Sequence, residues 1–359
     1  MYVYIAINCQ MNRLLAPVSW LYAIVLYIRH KLYDWGILKS RSFSIPTICV
    51  GNLSLGGTGK TPHTEYLIRL LKDNMKVAVL SRGYGRETKG FIIADENSTY
   101  KDIGDEPLQY YKKFNNITVA VDEDRPDGIN KLMHRDSIPE VILLDDAYQH
   151  RKIKPGLSIL LTEYYDIYKK DKLIPAGGLR DIKYAAKRAD VIIVTKSPKV
   201  LLPYDKREMT DLINAKPYQK IFFTHIDFQR LKPINKVAED ISLDSIKSVY
   251  LFCGIANPYP LEDHLKRIFN TLITNYYDDH HSFSDSDIDD ILNGFNSVIG
   301  KNKILLTTEK DLMRITNYSY LCRFSDIPLF VIPIEVKFND SKEEDVFKNL
   351  ILNYVGKNS

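Results

Sequence analysis

The stretch VGNLSLGGTGKTPH, Val50 to His63, carries residue types suited to holding phosphate. It follows the pattern G-x-x-x-x-G-K-[ST] at Gly59, Lys60 and Thr61. The first glycine of that pattern is replaced by Ser54. Gly56 and Gly57 lie inside the loop and are expected to take the positive φ that the absent glycine would supply. The expected cradle is Ser54, Leu55, Gly56, Gly57, Thr58, Gly59, Lys60 and Thr61. Its backbone N–H groups would face phosphate oxygens at a helix N-terminus. Lys60 would reach the β- and γ-phosphates of a nucleotide, and the Thr61 hydroxyl would ligate Mg²⁺. A glycine turn with a chance Lys-Thr is the competing reading. A strand-like segment before the loop and a helix-like one after it argue against that.

A second group of residues suits phosphoryl transfer. VILLDDAYQH ends an apolar strand on Asp145 and Asp146. Carboxylates at that tip hold Mg²⁺ in phosphate-loop enzymes. Gln149 and His150 follow, and either face substrate or cap the loop. IGDEPLQYY sets Asp105 and Glu106 before a proline, as helix caps or as a general base near the transferred phosphate. LIPAGGLRD offers Arg180 in a loop, a residue suited to bidentate phosphate contact. SRGYGR adds Arg82 and Arg86, or is a solvated turn. YYDDHHSFS brings Asp278, Asp279, His280 and His281 together. Adjacent residues rarely ligate one ion, so a His–Asp acid/base pair is the better reading. VTKS at Val194 to Ser197 lacks the aspartate of a guanine-reading loop, so nothing favours GTP over ATP.

These residues need a frame that brings strand ends together. From Pro46 the chain alternates short apolar strands with helix-like segments: PTICVGN, KVAVLSR, FIIAD, ITVAVDE, EVILLDDA, SILLTE and DVIIVTKS. Continuous apolar strands between helices predict an α/β fold with a mostly parallel sheet covered on both faces. Phosphate sites in such sheets lie at the carboxyl ends of strands. A smaller α/β unit follows, with SVYLFCGIANP and KILLTTEKD as strands. The extended stretches KIFFTHIDFQRL and LFVIPIEVKF bracket it and are expected to pair as a two-stranded linker. The expected organisation is an N-terminal helix in residues 1–36, a phosphate-loop unit in 37–219, the second unit with its linker strands in 220–337, and a closing helix in 338–359.

Composition limits the function classes. Of 359 residues, 45% are hydrophobic and 26% charged, which is enough apolar material for two globular units. The net charge of +4 comes without an Arg/Lys run interleaved with aromatics, so nucleic acid is not an expected partner. Cys9, Cys49, Cys253 and Cys322 have neither C-x-x-C nor zinc spacing, which suggests a reducing compartment. The apolar run from Leu14 to Tyr27 is shorter than the roughly 20 residues that cross a bilayer, and no cleavage site follows it. Its aromatics and the basic flank Arg29, His30 and Lys31 suit a helix lying on an anionic membrane surface. A buried core helix is the alternative. On the interfacial reading, Leu14, Leu15, Trp20, Leu21, Ile24 and Leu26 insert, while Arg29 and Lys31 meet headgroups.

Taken in order, LLAPVSWLY, VGNLSLGGTGKTP, SRGYGR, GDEP, LLDDAYQHR, LIPAGGLR, CGIANP, DDHHSF and TEKD resemble the tetraacyldisaccharide 4′-kinase family of lipid A biosynthesis. That family also has Ser or Thr where other phosphate loops begin with glycine. The resemblance implies two α/β units joined by a two-stranded linker. It implies transfer of the ATP γ-phosphate to the 4′-hydroxyl of a tetraacylated glucosamine disaccharide 1-phosphate. It places the protein peripherally on the cytoplasmic face of the bacterial inner membrane. By the same resemblance Lys60 and Thr61 bind phosphate and Mg²⁺, and Asp145 and Asp146 belong to the metal motif. Asp105 accepts the hydroxyl proton, paired with His280. Gln149, His150, Glu106 and Arg180 lie near the reaction. Gly178 and Asp181 stand where the family often has Pro and Glu. The resemblance begins near Leu14, so Met11 is expected as the native start. Two rivals are a nucleotide-switched binding protein and a phosphate-loop ligase acting on a small soluble acid.

Overall fold

The computed structural model describes residues 15–300, 302–315 and 318–357; expectations for Leu14, Cys9 and a start at Met11 lie outside them. Among the described residues a nine-stranded sheet forms first in the chain. Its strands are β1 (Thr47–Asn52), β2 (Val77–Ser81), β3 (Ile92–Ile93), β4 (Thr118–Val121), β5 (Val141–Asp145), β6 (Leu157–Glu163), β7 (Val191–Thr195) and β8 (Lys220–Phe228), joined later by a strand from the chain's end. A five-stranded sheet holds β9 (Lys232–Pro233), β10 (Ser248–Cys253), β11 (Thr271–Tyr276), β12 (Lys303–Thr308) and β13 (Leu329–Ile332); the returning strand is β14 (Ile334–Phe338).

The order of the large sheet is β14-β8-β7-β6-β1-β5-β2-β4-β3. Strands β8 through β4 in that order run parallel, and only β14 and β3 pair antiparallel to their neighbours. The central strands are buried along their whole length, as their unbroken apolar runs require. Helices Lys60–Leu71, Asp105–Lys113 and Ser341–Gly356 cover one face. Helices Arg125–Met133 and Pro203–Ile213 cover the other. β1 lies between β5 and β6, so the chain leaves β1 at the point where connections diverge to the two sides. A crevice opens there at the strands' carboxyl ends, and it receives the loop from Leu53 to Gly59.

The segment LFVIPIEVKF is not one strand. Pro333 lacks the N–H a ladder needs, and the chain changes sheets there. β13 runs parallel to β12 in the small sheet, and β14 runs antiparallel to β8, with Val336 opposite Ile226. The pair β8–β14 is therefore the two-stranded connection between the sheets.

Helix Ala16–Asp34 packs on the large unit with Ser19, Leu26 and His30 buried. Trp20 is 72% exposed, and Leu21, Ile24, Val25 and Ile28 are exposed with it. Leu26, expected to insert in a membrane, instead faces the protein at 6% exposure. Helical geometry turns it to the side of Ser19 and His30, away from Trp20 and Ile24. Among the described residues no helix is long and apolar enough to cross a membrane.

Candidate functional site

The phosphate-type loop has a backbone that explains its serine. Gly56 and Gly59 take φ of 98° and 88°, while Ser54 lies outside the positive-φ residues and needs no glycine. Gly57 also lies outside them, contrary to expectation; instead it faces the second unit, where a Cβ would stand 3.7 Å from the Ala256 side chain. The loop is held from beneath. Asn52 Nδ2 donates to Thr58 Oγ1 at 2.7 Å, and Thr195 Oγ1 donates to the Thr58 carbonyl at 2.9 Å. Its outer edge pairs with the LIPAGGLR segment: Leu55 N donates to Gly178 O at 2.7 Å and Arg180 N to Leu53 O at 2.8 Å. Lys60 opens the following helix. One turn on, His63 ties Gly59 O (2.7 Å) to Thr224 Oγ1 of β8 (3.0 Å), and burial pushes its imidazole down to about 4, so it stays neutral.

Asp145 ends β5 beside β1 and is fully buried. Thr64 Oγ1 and the Tyr110 hydroxyl donate to it, each at 3.3 Å. Burial, then the nearby charges of Glu106 and Asp146, raise its carboxyl to about 7. Asp146 sits at φ 47°, a left-handed conformation rare outside glycine. That turn aims its carboxylate at the two terminal guanidinium nitrogens of Arg180, Nη1 and Nη2, with Lys60 Nζ 3.8 Å away. Burial alone would raise its pKa; Lys60 and Arg180 outweigh it and hold it below the usual range.

Asn52, unmarked in the sequence reading, is the hub of this corner. Its Oδ1 accepts from Arg180 Nη2 at 2.5 Å and its carbonyl from Gln149 Nε2 at 2.7 Å. A buried polar residue at the last position of a strand was the signal available. His150 lines a cavity of about 350 Å³ with Arg29, Arg125, Arg151 and Lys152, under the end of the N-terminal helix. Burial, then Arg125 and Arg82, lower its pKa to about 4. Arg29 Nη2 donates to Gln149 O at 3.3 Å, so this side chain turns toward the cavity rather than outward. Arg86 is engaged by Glu123 and Gly90 O, a loop-closing role.

The second group assembles across the two sheets. Asp105 begins its helix after Gly104, whose φ of 90° a side chain would strain. His280 reaches it from the small unit, Nδ1 to Asp105 Oδ2 at 3.1 Å, itself at φ 61°. Arg314 grips the same oxygen through Nε (3.0 Å) and Nη2 (2.6 Å), and Lys310 Nζ donates to His280 Nε2 at 2.9 Å. Since an ammonium can only donate, the network assigns the imidazole proton to Nδ1, donating to Asp105. Burial would raise the Asp105 carboxyl; the His280 hydrogen bond with the charges of Lys310 and Arg314 overrides that and holds it far below the usual range. Glu106 faces Lys310 at 3.8 Å. His281 turns away to Asp287 at 3.0 Å and stacks on Tyr277, so His280 is the histidine beside Asp105. Lys310 and Arg314 were missed in the sequence; TEKD was noticed as a motif, but nothing local pointed it at Asp105.

Oxygen donors at Thr61, Asp145 and Asp146 are the hard type Mg²⁺ takes, and that ion uses one or two carboxylates together with substrate phosphates. Among the described residues no cluster of three or more His, Cys, Asp or Glu could hold an ion alone.

The tetraacyldisaccharide-1-P 4′-kinase (LpxK) family model matches residues 11–354. The chain belongs to this family. The tetraacyldisaccharide 4′-kinase of Bacteroides thetaiotaomicron is 42% identical over 361 residues, 98% of this chain and 95% of that protein. That of Flavobacterium johnsoniae is 43% identical over 350 residues, 97% of this chain and 98% of the relative. The crystal structure of LpxK from Aquifex aeolicus in complex with ATP is 30% identical, with a TM-score of 0.72, covering 96% of this chain and 99% of that one. The tetraacyldisaccharide 4′-kinase family is thus matched along nearly the whole chain, through both sheets and the segment that joins them.

Proposed function

We propose that this protein transfers the γ-phosphate of ATP to the 4′-hydroxyl of a tetraacylated glucosamine disaccharide 1-phosphate. The observation that carries the mechanism is the 3.1 Å contact between Asp105, on the large unit that holds the phosphate-type loop, and His280 of the small unit. Lys60 and Arg180 stand at the crevice, where they would neutralise charge developing on the transferred group. Thr61, Asp145 and Asp146 would hold Mg²⁺, which when bound offsets the charge of the β- and γ-phosphates. The attacking 4′-oxygen forms a bond to the γ-phosphorus as the bond from γ-phosphorus to the β–γ bridging oxygen breaks. ADP leaves, and the hydroxyl proton passes to Asp105.

Asp105 is a weak base, held by His280, Lys310 and Arg314. A loose phosphoryl transition state tolerates that. Proton transfer comes late, after bonding to phosphorus has made the attacking hydroxyl acidic. His280 and Arg314 keep Asp105 in place, and Lys310 keeps His280 in its Nδ1-protonated form.

The cavity is lined by Arg29, Arg125, Arg151 and Lys152 against two carboxylates, Glu123 and Asp124, and this excess of basic groups would suit an anionic lipid headgroup. The exposed apolar face at Trp20, Leu21 and Ile24 would rest in the interface of an anionic membrane, with the acyl chains left in the bilayer. Radiolabelled ATP with tetraacyldisaccharide 1-phosphate in mixed micelles tests the reading. Labelled lipid should form in proportion to ATP consumed. ATP hydrolysis without labelled lipid would instead favour a nucleotide-switched binding protein.

A further inference from the structure

The inner face of helix Ala16–Asp34 carries polar groups that a membrane contact alone does not need. Ser19 Oγ donates to Leu173 O at 3.0 Å and accepts from Ala176 N at 3.0 Å. The Tyr22 hydroxyl donates to Arg180 O at 3.3 Å. His30 Nε2 lies 2.6 Å from Asp181 Oδ1, with the two side chains 1% and 2% exposed. Arg151 Nη1 donates to His30 Nδ1 at 2.9 Å, so Nε2 carries the proton and donates to Asp181. Every one of these helix contacts except the one from Arg151 falls on the segment from Leu173 to Asp181. That segment pairs with the phosphate-type loop at Leu53 and Leu55 and delivers Arg180 to Asp146.

Asp181 is the residue next to Arg180. Its carboxylate accepts from His30 and from its neighbour's backbone, Ile182 N at 2.8 Å, with Arg188 Nη2 3.5 Å away. A buried carboxylate so held is a fixed point, and Arg180 is one peptide from it. We propose that His30 is a positioning residue for phosphoryl transfer: through Asp181 it fixes Arg180, so the N-terminal helix is part of the catalytic frame. The helix then presents its outer face to lipid while its inner face sets the arginine. The inference rests on the reading of Arg180 as a phosphate-side residue.

The test uses the full chain, with active protein counted by ATP-analogue binding. His30→Leu, His30→Gln, Asp181→Asn and Arg180→Ala are assayed in mixed micelles for kcat and for both KM values. Flotation is measured with vesicles of phosphatidylethanolamine and phosphatidylglycerol. His30→Leu should float as the parent does, because its outer face is unchanged. Its kcat should fall about 10- to 100-fold, the size seen when groups that orient a site's ligands are removed. KM for ATP should stay within about twofold, since the loop and Lys60 are untouched; a change of uniform binding would move KM instead. His30→Gln keeps a donor for Asp181 and should recover most of the loss. His30→Leu should cost little more on an Arg180→Ala background, because residues acting through one group are non-additive. A kcat for His30→Leu near the parent's overturns the proposal, and so do fully additive losses. Should His30→Leu not fold, Asp181→Asn decides: an unchanged kcat there also overturns it. A kcat for Arg180→Ala near the parent's would reject the reading of Arg180 itself, a result separate from any failure at His30.

Discussion

Arg314→Gln isolates how the second unit sets the properties of Asp105. Arg314 is 2% exposed and gives Asp105 Oδ2 two contacts, at 2.6 and 3.0 Å. It also donates to Asp311 Oδ1 at 2.9 Å and to Gly254 O at 3.1 Å. Glutamine removes the charge and leaves both carboxylates buried. Breaking one partner of a buried pair costs about 3–5 kcal/mol. At roughly 2–4 °C per kcal/mol, the melting temperature should drop by roughly 10 °C.

The effect on catalysis is separable by pH. The folded-state pKa of Asp105 is depressed, so its contribution to stability is present above the unfolded value near 3.9 and disappears as pH falls through the folded value. Losing charge-assisted hydrogen bonds worth about 1.5–3 kcal/mol moves the folded pKa up by about one to two units, at 1.36 kcal/mol per unit. The Asp105 contribution lost in acid should therefore be smaller in Arg314→Gln and its loss complete at a higher pH, with the acid limb of kcat moved up alongside it. At neutral pH Asp105 stays ionised, and the loss of kcat reports its looser placement, below the roughly 10²–10⁴-fold that a general base contributes. Arg314→Lys keeps the charge without the two-pronged contact and should fall between the two. The assay is kcat against pH at saturating ATP and lipid, beside thermal unfolding over the same range. An acid limb that stays in place while stability drops would refute the argument, leaving Arg314 as a structural contact only.

Lys60→Ala should cut kcat by about 10²–10³-fold or more while the melting curve stays cooperative; a folded variant with normal turnover removes the phosphate-loop reading. Asp105→Ala and His280→Ala should each lower kcat strongly and together cost little more, as paired residues do, and additive losses would mean separate roles. His281→Ala should lower stability through Asp287 and leave kcat near the parent, with the reverse pattern in single-variant kinetics refuting the choice of His280. Trp20→Ser, Leu21→Ser and Ile24→Ser combined should reduce vesicle flotation; full flotation would place the membrane contact elsewhere.

What could be read from the sequence followed how local the signal was. Gly59, Lys60 and Thr61 are contiguous, and Asp145 ends an unbroken apolar strand, so both were visible as short patterns. The alternation of strand and helix gave the parallel sheet for the same reason. β11 was overlooked because it is an edge strand of mixed exposure, with Thr and Asn where a buried strand would be apolar. The N-terminal run offered no contrast between its faces, so Leu26 could not be told from Ile24 until the helix was packed. Arg314 and Asp105 are 209 residues apart, and their pairing depends on how one sheet is set against the other. No pattern along the chain encodes that.

The distance between those two residues bears on the chemistry. Three of the side chains that hold Asp105 or its partner, His280, Lys310 and Arg314, come from the small unit, while the loop carrying Lys60 belongs to the large one. On the proposed mechanism, in which Asp105 is the base, the base is thus assembled by contact between the units, not by either alone. A carboxylate at a strongly depressed pKa draws little proton density from a water molecule, so a stray water in the crevice gains little activation. A sugar hydroxyl held against the γ-phosphate has proximity that a mobile water lacks, and proximity supplies much of a barrier. A weak, firmly placed base therefore favours the bound acceptor over hydrolysis. Loosening it, as in Arg314→Gln, should raise the ratio of ATP hydrolysed to lipid phosphorylated even as both rates fall. A ratio equal to the parent's would show that exclusion of water, rather than base strength, guards the phosphate.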